Sequence, residues 1–325
     1  MIVNTKMEKE NPYVSFVVTG RNDDYGHRFL YRTQRFIDNL IYLCEKYKLP
    51  SEIIFVEWNP PKDKERFYKA LRIKETSNFI KIRIIKVPKK IHDKIKTSDK
   101  LPLLEFPGKN VGIRKSKSEF IVVTNPDIIF SEKMIKFFSK KKLRKKIFYR
   151  ADRCDLFVDI PNKIKTQEVE KFCKKKWNFC WSPRWGRYHR GIKILTDIPR
   201  LFARSLVKMT QKYSYLRYHG GAPGDFVLMD KQSWENFRGY PEINVHGGMD
   251  GYVSVMAIAS GNKLKIMREK TYHQAHGNPE GGERPMPDIT AYIRDAKKML
   301  KEKKLIFYND ENWGLKKFDF KERAF

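Results

Sequence analysis

The side chains of this chain best suited to chemistry are polar and acidic residues that directly follow short apolar segments. They occupy residues 20–26 (GRNDDYG), 57–59 (EWN) and 125–127 (NPD). Carboxylates in such positions suit Mg²⁺ or Mn²⁺, which take hard oxygen ligands and leave other coordination positions to water or substrate oxygens. Asp127 is the best-placed carboxylate for holding a cation on a diphosphate. The alternative interpretation of Asn-Pro-Asp is a turn that ends a strand for conformational reasons alone.

The segments that must position these side chains alternate between two hydrophobic patterns. Short β-branched and aromatic runs predict strands at residues 13–19, 52–57, 79–87 and 119–124. Apolar residues at steps of three and four between positions 29 and 44 predict an amphipathic helix, and shorter helices are predicted at 65–74 and 109–117. Alternating strands and helices imply right-handed crossovers and a mainly parallel sheet. Ligands then bind beyond the carboxyl ends of the strands.

The second half of the chain is less regular. Residues 128–220 are rich in lysine and contain an aromatic cluster: Trp177, Phe179, Trp181, Trp185 and Tyr188. Two interpretations stay open for Trp177, Trp181, Trp185 and Tyr188, a groove in which a ligand stacks on aromatic faces and the core of an inserted lobe. The alternating pattern then resumes, with strands predicted at 225–229 and 263–267 and helices around Trp234, at 252–259 and at 287–304. The predicted fold is therefore α/β, a mixed and mainly parallel sheet flanked by helices, in one domain with an inserted middle segment and a C-terminal helix.

Composition excludes several classes of protein. The chain has 325 residues, and its 41% hydrophobic and 14% aromatic content is too high for a disordered protein. It contains no GxGxxG or GxxxxGK[ST] motif, which disfavours a dinucleotide-binding fold and a P-loop NTPase. No apolar run approaches a membrane span, the first residues do not resemble a signal peptide, and four cysteines are too few for a disulfide scaffold. We expect a cytoplasmic protein.

The charge is strongly basic, since 68 Lys and Arg against 38 Asp and Glu give a formal net charge of +30. Most of the excess is lysine spread along the chain, as AT-rich coding produces without selection for binding. The densest run, residues 140–146 (KKKLRKK), is interpreted either as a basic amphipathic helix in peripheral contact with an anionic membrane or as a solvated helix end. No nucleic-acid-binding motif accompanies the charge, so no specific nucleic-acid binding is expected.

The order of the motifs resembles one family. Residues 110–121 (NVGIRKSKSEFI) and 124–127 (TNPD) resemble the N-x-G-x-x-x-A-x-G-E-(Y/F)-I … D-x-D stretch of GT-A-fold glycosyltransferases, especially the large family-2 group. Residues 224–229 (GDFVLM), 237–240 (FRGY) and 247–250 (GGMD) resemble the acceptor half of its galactosyltransferase-like members. The likeness covers about residues 13–277. One departure is that Asn125 replaces the first carboxylate of D-x-D, although the last Asp is generally the direct metal ligand.

The resemblance implies a transferase that moves a sugar from a nucleotide-sugar donor, most commonly a UDP-sugar, to a glycan or other hydroxyl acceptor. It implies an inverting reaction with Asp250 as the catalytic base, although Asp250 also suits a helix N-cap. Asp127 and His276 are the implied ligands of Mn²⁺ or Mg²⁺, and His273 is the less favoured histidine. The implied acceptor-binding residues are Asp225 and Trp234. The implied donor-binding residues are Thr19, Arg21, Asn22, Asp23, Glu57, Trp58, Arg114, Asn125 and Asp127.

The resemblance also divides the chain. Residues 11–280 form the predicted glycosyltransferase domain, with a nucleotide-sugar half (11–130), a variable insertion (131–220) and an acceptor half (221–280). Residues 281–325 are predicted to be a C-terminal helix and tail. Two alternative functions remain at this stage. One is a non-catalytic protein of the same fold that binds polyanions or a membrane surface, as its charge suggests. The other is a nucleotidyltransferase, which shares the α/β plan.

Overall fold

A computed structural model describes residues 11–73, 79–95, 101–182, 186–190, 224–243, 248–277 and 288–325. The predictions that concern Trp185 and Gly247 lie outside these residues. Within the described part of the chain, one α/β domain is built around a single sheet of eleven strands. The strands are β1 (Val14–Gly20), β2 (Ser51–Trp58), β3 (Ile80–Val87), β4 (Phe120–Thr124), β5 (Ile128–Phe130), β6 (Ile147–Leu156), β7 (Trp177–Ser182), β8 (Gly186–His189), β9 (Phe226–Asp230), β10 (Lys263–His273) and β11 (Glu322–Ala324).

Helices of very different lengths connect these strands. The longest described helix has 18 residues and the two shortest have four each. In chain order the described helices are α1 (Phe29–Lys46), α2 (Phe67–Ala70), α3 (Lys89–His92), α4 (Glu105–Lys115), α5 (Glu132–Ser139), α6 (Thr166–Lys176), α7 (Lys231–Asn236), α8 (Met249–Ala259) and α9 (Ile289–Glu302).

The sheet is mixed, with strand order β11-β3-β2-β1-β4-β9-β6-β10-β5 and a β7–β8 hairpin paired to β6. Strands β3, β2, β1 and β4 are mutually parallel, and β6 is parallel to β10. Strand β9 runs antiparallel to both β4 and β6, so β4 and β6 point the same way. The carboxyl ends of β1, β2, β4, β6 and β10 therefore lie at one edge, together with the start of β9.

The central strands of the sheet are buried on both faces, as the near-continuous apolar runs of the first strands predict. In β1, Val17 faces one core cluster, which α4, α8 and α9 also line, while Phe16 and Val18 face a second cluster under α1 and α5. All seven residues of β1 and all eight of β2 are buried. The central strands are thus rigid supports for the loops at their carboxyl ends.

The predicted fold class is confirmed, with three differences in detail. The predicted irregular middle contains the regular elements β6, α6, β7 and β8. The helix predicted at 65–74 is observed only as the four-residue helix α2, and the helix predicted at 109–117 is observed as α4, which begins four residues earlier. The C-terminal tail returns to the sheet, where β11 pairs antiparallel with β3. None of the helices within the described ranges is long and apolar enough to cross a membrane.

Candidate active site

The loops at one edge of the sheet bring together side chains that are distant in sequence. Asn125 and Asp127 follow β4, Asp155 lies near the end of β6, and His273 ends β10. Asp225 immediately precedes β9, which runs the opposite way and therefore begins at this same edge. The topology thus places these polar groups where an open parallel sheet binds its ligands.

Three side chains at this edge converge as metal ligands do. The Nε2 atoms of His273 and His276 lie 3.1 Å apart, and they lie 3.6 Å and 3.5 Å from Asp127 Oδ2. With metal bonds of about 2.1 Å, neighbouring ligands lie about 3.0 Å apart in an octahedron and about 3.4 Å apart in a tetrahedron. Asp127, His273 and His276 form the cluster capable of holding a metal ion within the described residues, and we call it the Asp-His-His cluster.

Contacts around the Asp-His-His cluster fix its geometry. Arg32 of α1 donates from Nη1 to Asp127 Oδ2 at 2.6 Å and from its other nitrogens to the carbonyls of Tyr25 and His27. This arginine therefore ties the loop after β1 to the cluster. Asp155 lies 3.3 Å from His273 Nδ1, which leaves Nε2 directed at the cluster. A carboxylate behind a histidine is the usual outer support of a metal-binding imidazole.

The charges of the Asp-His-His cluster are strongly coupled. Burial opposes ionisation of Asp127, but His273 and Arg32 outweigh it and hold the pKa of this carboxyl far below its usual range. Burial disfavours the charged form of His273, yet Asp127 and Asp155 raise its pKa to about 9. Burial lowers the pKa of His276. The three side chains are thus a carboxylate, a histidine that readily holds a proton, and a histidine that prefers to be neutral.

The cluster also has spare capacity to bind a cation. Asp127 Oδ1 is buried and has no hydrogen-bond partner among the described residues. An unpaired buried carboxylate oxygen is costly, and a bound ion is one explanation for it. The donor set of two imidazoles and one carboxylate fits a divalent transition metal such as Mn²⁺ better than Mg²⁺, which prefers all-oxygen sites.

Asp250 lies in the first turn of α8 and accepts a hydrogen bond from the Gly224 amide at 3.0 Å. A Cβ atom on Gly224 would come within 1.6 Å of Asp250 Oδ1, so the carboxylate lies directly against the backbone of Gly224. Burial raises the pKa of Asp250 to about 6, although Lys109 and Arg150 oppose this shift. A carboxylate with this pKa exchanges protons near neutral pH.

A chain of polar contacts connects the surroundings of Asp250 to the Asp-His-His cluster. Asp225, the residue after Gly224, accepts from Asn125 Nδ2 at 2.7 Å and from Arg153 Nη1 at 2.6 Å. Arg153 also pairs with Asp155 at 2.8 Å, and Asp155 supports His273. In the other direction, the fully buried Lys109 donates to Asn125 Oδ1 at 2.8 Å. Sequence reasoning missed Arg32, Lys109, Arg153 and Asp155, since isolated charged residues within predicted helices or irregular segments have no distinguishing spacing.

The predicted donor-binding residues of the first loop are linked to each other and to the loop after β2. Arg21 donates from Nε to the Asn59 carbonyl at 2.8 Å and from Nη1 to Asp23 at the same distance. Asn22 donates to the Glu65 carbonyl, and the buried Thr19 Oγ1 has no hydrogen-bond partner among the described residues. These side chains lie at the edge formed by the carboxyl ends of the parallel strands, and their role in donor binding stays a prediction.

Four predicted site residues have packing or structural contacts instead. Glu57 is fully buried, and its two carboxylate oxygens accept from Arg66 and from the Phe67 amide. Trp58 is fully buried with its indole N–H directed at His92, so it has no face free for stacking on a base.

The other two residues point away from the site. Trp234 is fully buried and donates to the Ile121 carbonyl at 3.3 Å, which makes it a core residue rather than an acceptor contact. Arg114 donates to the carbonyls of Trp313 and Glu311 and lies over the Trp313 ring, so it fastens the C-terminal segment instead of facing a diphosphate.

No known family profile and no curated protein matches this chain. Among solved structures, S. aureus TarS is similar with a TM-score of 0.42 and 10% identity, covering 81% of this chain and 37% of TarS. The TarS fragment 1-349 in complex with UDP-GlcNAc gives a TM-score of 0.42 and 10% identity over 83% of this chain and 60% of the fragment. This chain spans less than two thirds of the length of these structures. A likeness at this level assigns neither a family nor an activity.

Proposed function

We propose that this protein is a glycosyltransferase that transfers a sugar from a nucleotide-sugar donor, in particular a UDP-sugar, to a hydroxyl group of an acceptor. The observation that carries the proposal is the placement of Asp250 and the Asp-His-His cluster at one edge of the sheet, joined by the contacts of Asn125, Asp225 and Arg153. Transfer to a hydroxyl group needs a base for the acceptor proton and positive charge for the departing diphosphate. This edge offers a candidate for each.

Asp250 is the proposed base. A general base works best when its pKa lies near the working pH, and burial brings the pKa of Asp250 to about 6. Its neighbour Asp225 differs, because Arg153 outweighs the effect of burial and lowers the pKa of Asp225. Asp225 therefore stays ionised as a salt-bridge partner, whereas Asp250 can take up and release a proton. Direct attack by the activated hydroxyl group inverts the anomeric centre of the sugar.

Asp127, His273 and His276 are the proposed ligands of a divalent ion. When bound, the ion would supply positive charge to the diphosphate leaving group. Asp127 Oδ2 is the oxygen nearest to both histidines and also accepts from Arg32, whereas Oδ1 has no hydrogen-bond partner among the described residues, so the carboxylate can offer either oxygen to the ion. Asp155 keeps His273 Nε2 directed inward. The polar loop after β1 is the proposed place of the nucleoside, with Arg21, Asn22 and Asp23 as its contacts.

The test is the release of nucleoside diphosphate. Purified protein is incubated with Mn²⁺ and each of several UDP-, GDP- and dTDP-sugars, with and without a mixture of simple glycoside acceptors. Acceptor-stimulated release with one donor class, lost in Asp250→Asn and kept in Asp319→Asn, is the expected result. Asp319 is exposed and remote in sequence, which makes it a matched control for the Asp-to-Asn change. Absence of release with every donor would contradict the proposal.

A further inference from the structure

Two of the four cysteines face each other across neighbouring strands. Cys154 of β6 and Cys180 of β7 are directly opposed in the antiparallel register, and both are fully buried. Their Sγ atoms lie 2.8 Å apart. This is closer than two unbonded sulfur atoms normally pack, although longer than the ~2.05 Å of a disulfide.

The backbone geometry suits a covalent bond between them. Directly opposed residues of an antiparallel pair have Cα atoms about 4.5–5.5 Å apart, which lies within the range of about 4.4–6.8 Å that disulfides require. The other two cysteines have no directly opposed partner: Cys173 lies on α6, in the same core cluster as Cys154 and Cys180, and Cys44 lies on α1 in another cluster. The pairing is therefore specific to one of the six combinations that four cysteines allow.

We propose that Cys154 and Cys180 form a disulfide that fastens the β7–β8 hairpin to β6. Oxidised glutathione, or another small disulfide, is the proposed oxidant. One cysteine thiolate attacks it, releases the first reduced glutathione and forms a mixed disulfide. The other thiolate then attacks the protein sulfur and releases the second. The two protein thiols lose their protons and two electrons, and the small disulfide gains them.

Burial sets the conditions for this reaction. The contact with Cys180 and burial both raise the pKa of Cys154 far above its usual range, so little of the reactive thiolate is present in the closed hairpin. Exchange therefore occurs during folding or when the hairpin opens. Strand β8 pairs with β7 and with none of the other described strands, so the hairpin lies at a margin of the sheet and is joined to it through the β6–β7 pairing. Opening of the hairpin means local separation of β7 from β6.

The bridge leaves the candidate active site in place. Side chains alternate along a strand, so Cys154 points to the face opposite Arg153 and Asp155 and packs against Tyr272 and Cys173. Bonding residues 26 positions apart restricts the unfolded chain and should raise the melting temperature by about 5 °C. In the oxidised form the β7–β8 hairpin is thus covalently linked to β6 while the candidate active site keeps its arrangement. This inference does not depend on the proposed function.

The test is to refold the full chain in a glutathione buffer and to count free thiols after unfolding in an alkylating agent. We expect two alkylated cysteines instead of four, and a linked pair of peptides containing Cys154 and Cys180. Cys44→Ser and Cys173→Ser should still lose two thiols on oxidation, whereas Cys154→Ser and Cys180→Ser should lose none. Four free thiols in the wild-type protein, or a bridge that includes Cys173 or Cys44, would overturn the proposal. The wild-type peptide map decides this even if a serine variant does not fold.

Discussion

Two carboxylates at the same edge of the sheet have pKa values moved in opposite directions. Burial acts on both, but His273 and Arg32 overcome it at Asp127, whereas the cations around Asp250 do not. Groups whose environments separate their pKa values in this way are suited to different tasks. Asp127 remains a fixed negative charge for a cation, and Asp250 is able to exchange a proton.

The role of Asp250 as base predicts the effect of its replacement. Asp250→Asn should reduce transfer by about 10²–10⁴-fold, because the amide cannot take the proton of the acceptor hydroxyl. In the wild-type protein, kcat/KM should rise with pH through about 6 as the carboxyl ionises. Steady-state rates between pH 5 and 8 check both points. Near-normal activity of the variant would exclude Asp250 as the base.

The same pKa predicts a stability difference of known sign. The folded state raises the pKa of Asp250 above its unfolded value, so it binds this proton more tightly than the unfolded chain does. Ionisation of Asp250 therefore costs stability progressively as the pH rises from about 4 to 6. Asp250→Asn removes that cost. The melting temperature of the variant minus that of the wild-type protein should therefore be larger at pH 8 than at pH 4. A pH-independent difference would contradict the raised pKa.

The Asp-His-His cluster predicts direct metal binding. Mn²⁺ titration followed by electron paramagnetic resonance should show one site, weakened at least tenfold by His276→Ala or His273→Ala, because each change removes one ligand. His189→Ala is the matched control, since this histidine lies on β8 outside the cluster. Equal affinity in all four proteins would place the ion elsewhere.

At the level of elements, the described residues directly before β9 control the position of the base. Gly224 lies so close to Asp250 that any side chain would displace the carboxylate. Gly224→Ala should therefore lower activity by at least tenfold. Gly277→Ala, whose added methyl group would have no neighbour within 4 Å among the described residues, should behave as wild type. Activity assays and circular dichroism of the two variants separate loss of the base position from loss of the fold.

The elements that the sequence predicts well are those whose only task is packing. Strands β1, β2 and β4 are uniformly buried and read as apolar runs. Strand β6 escapes prediction because Arg150, Arg153 and Asp155 interrupt its apolar pattern, and Arg153 and Asp155 are polar where they support the site. Likewise, the pairing of His273 with Asp127 depends on β10 and β4 ending at the same edge, which a single sequence does not reveal.

For the whole molecule, the densest basic run and the candidate site are spatially separate. The basic run at residues 140–146 is a mostly exposed turn between the end of α5 and the start of β6. This turn directly precedes β6, so it lies at the amino ends of the parallel strands, whereas the site lies at their carboxyl ends. The lysines follow α5 rather than line its face, which favours a solvated turn over a membrane-binding helix.

This separation predicts two different salt dependences. Any binding of anionic vesicles or polyanions should fall steeply between 0.05 and 0.5 M salt, at concentrations of the order that screen exposed charges. Binding of nucleotide in the presence of Mn²⁺ should change by less than about threefold, because its contacts are partly buried. Replacing three lysines of the turn (Lys140, Lys141 and Lys142) by Ser should weaken the binding of anionic vesicles and polyanions and leave the binding of nucleotide unchanged. Co-sedimentation and calorimetry measure the two.

The most direct test of the central claim is thermal-shift stability with UDP, GDP, dTDP and CMP, each with and without Mn²⁺. A nucleotide present at about 100 times its Kd should add about 2.7 kcal/mol of stability, which is readily seen as a higher melting temperature. We predict a shift with UDP that requires Mn²⁺ and is lost in His276→Ala. No shift with any nucleotide, with or without Mn²⁺, would contradict the assignment as a nucleotide-sugar transferase.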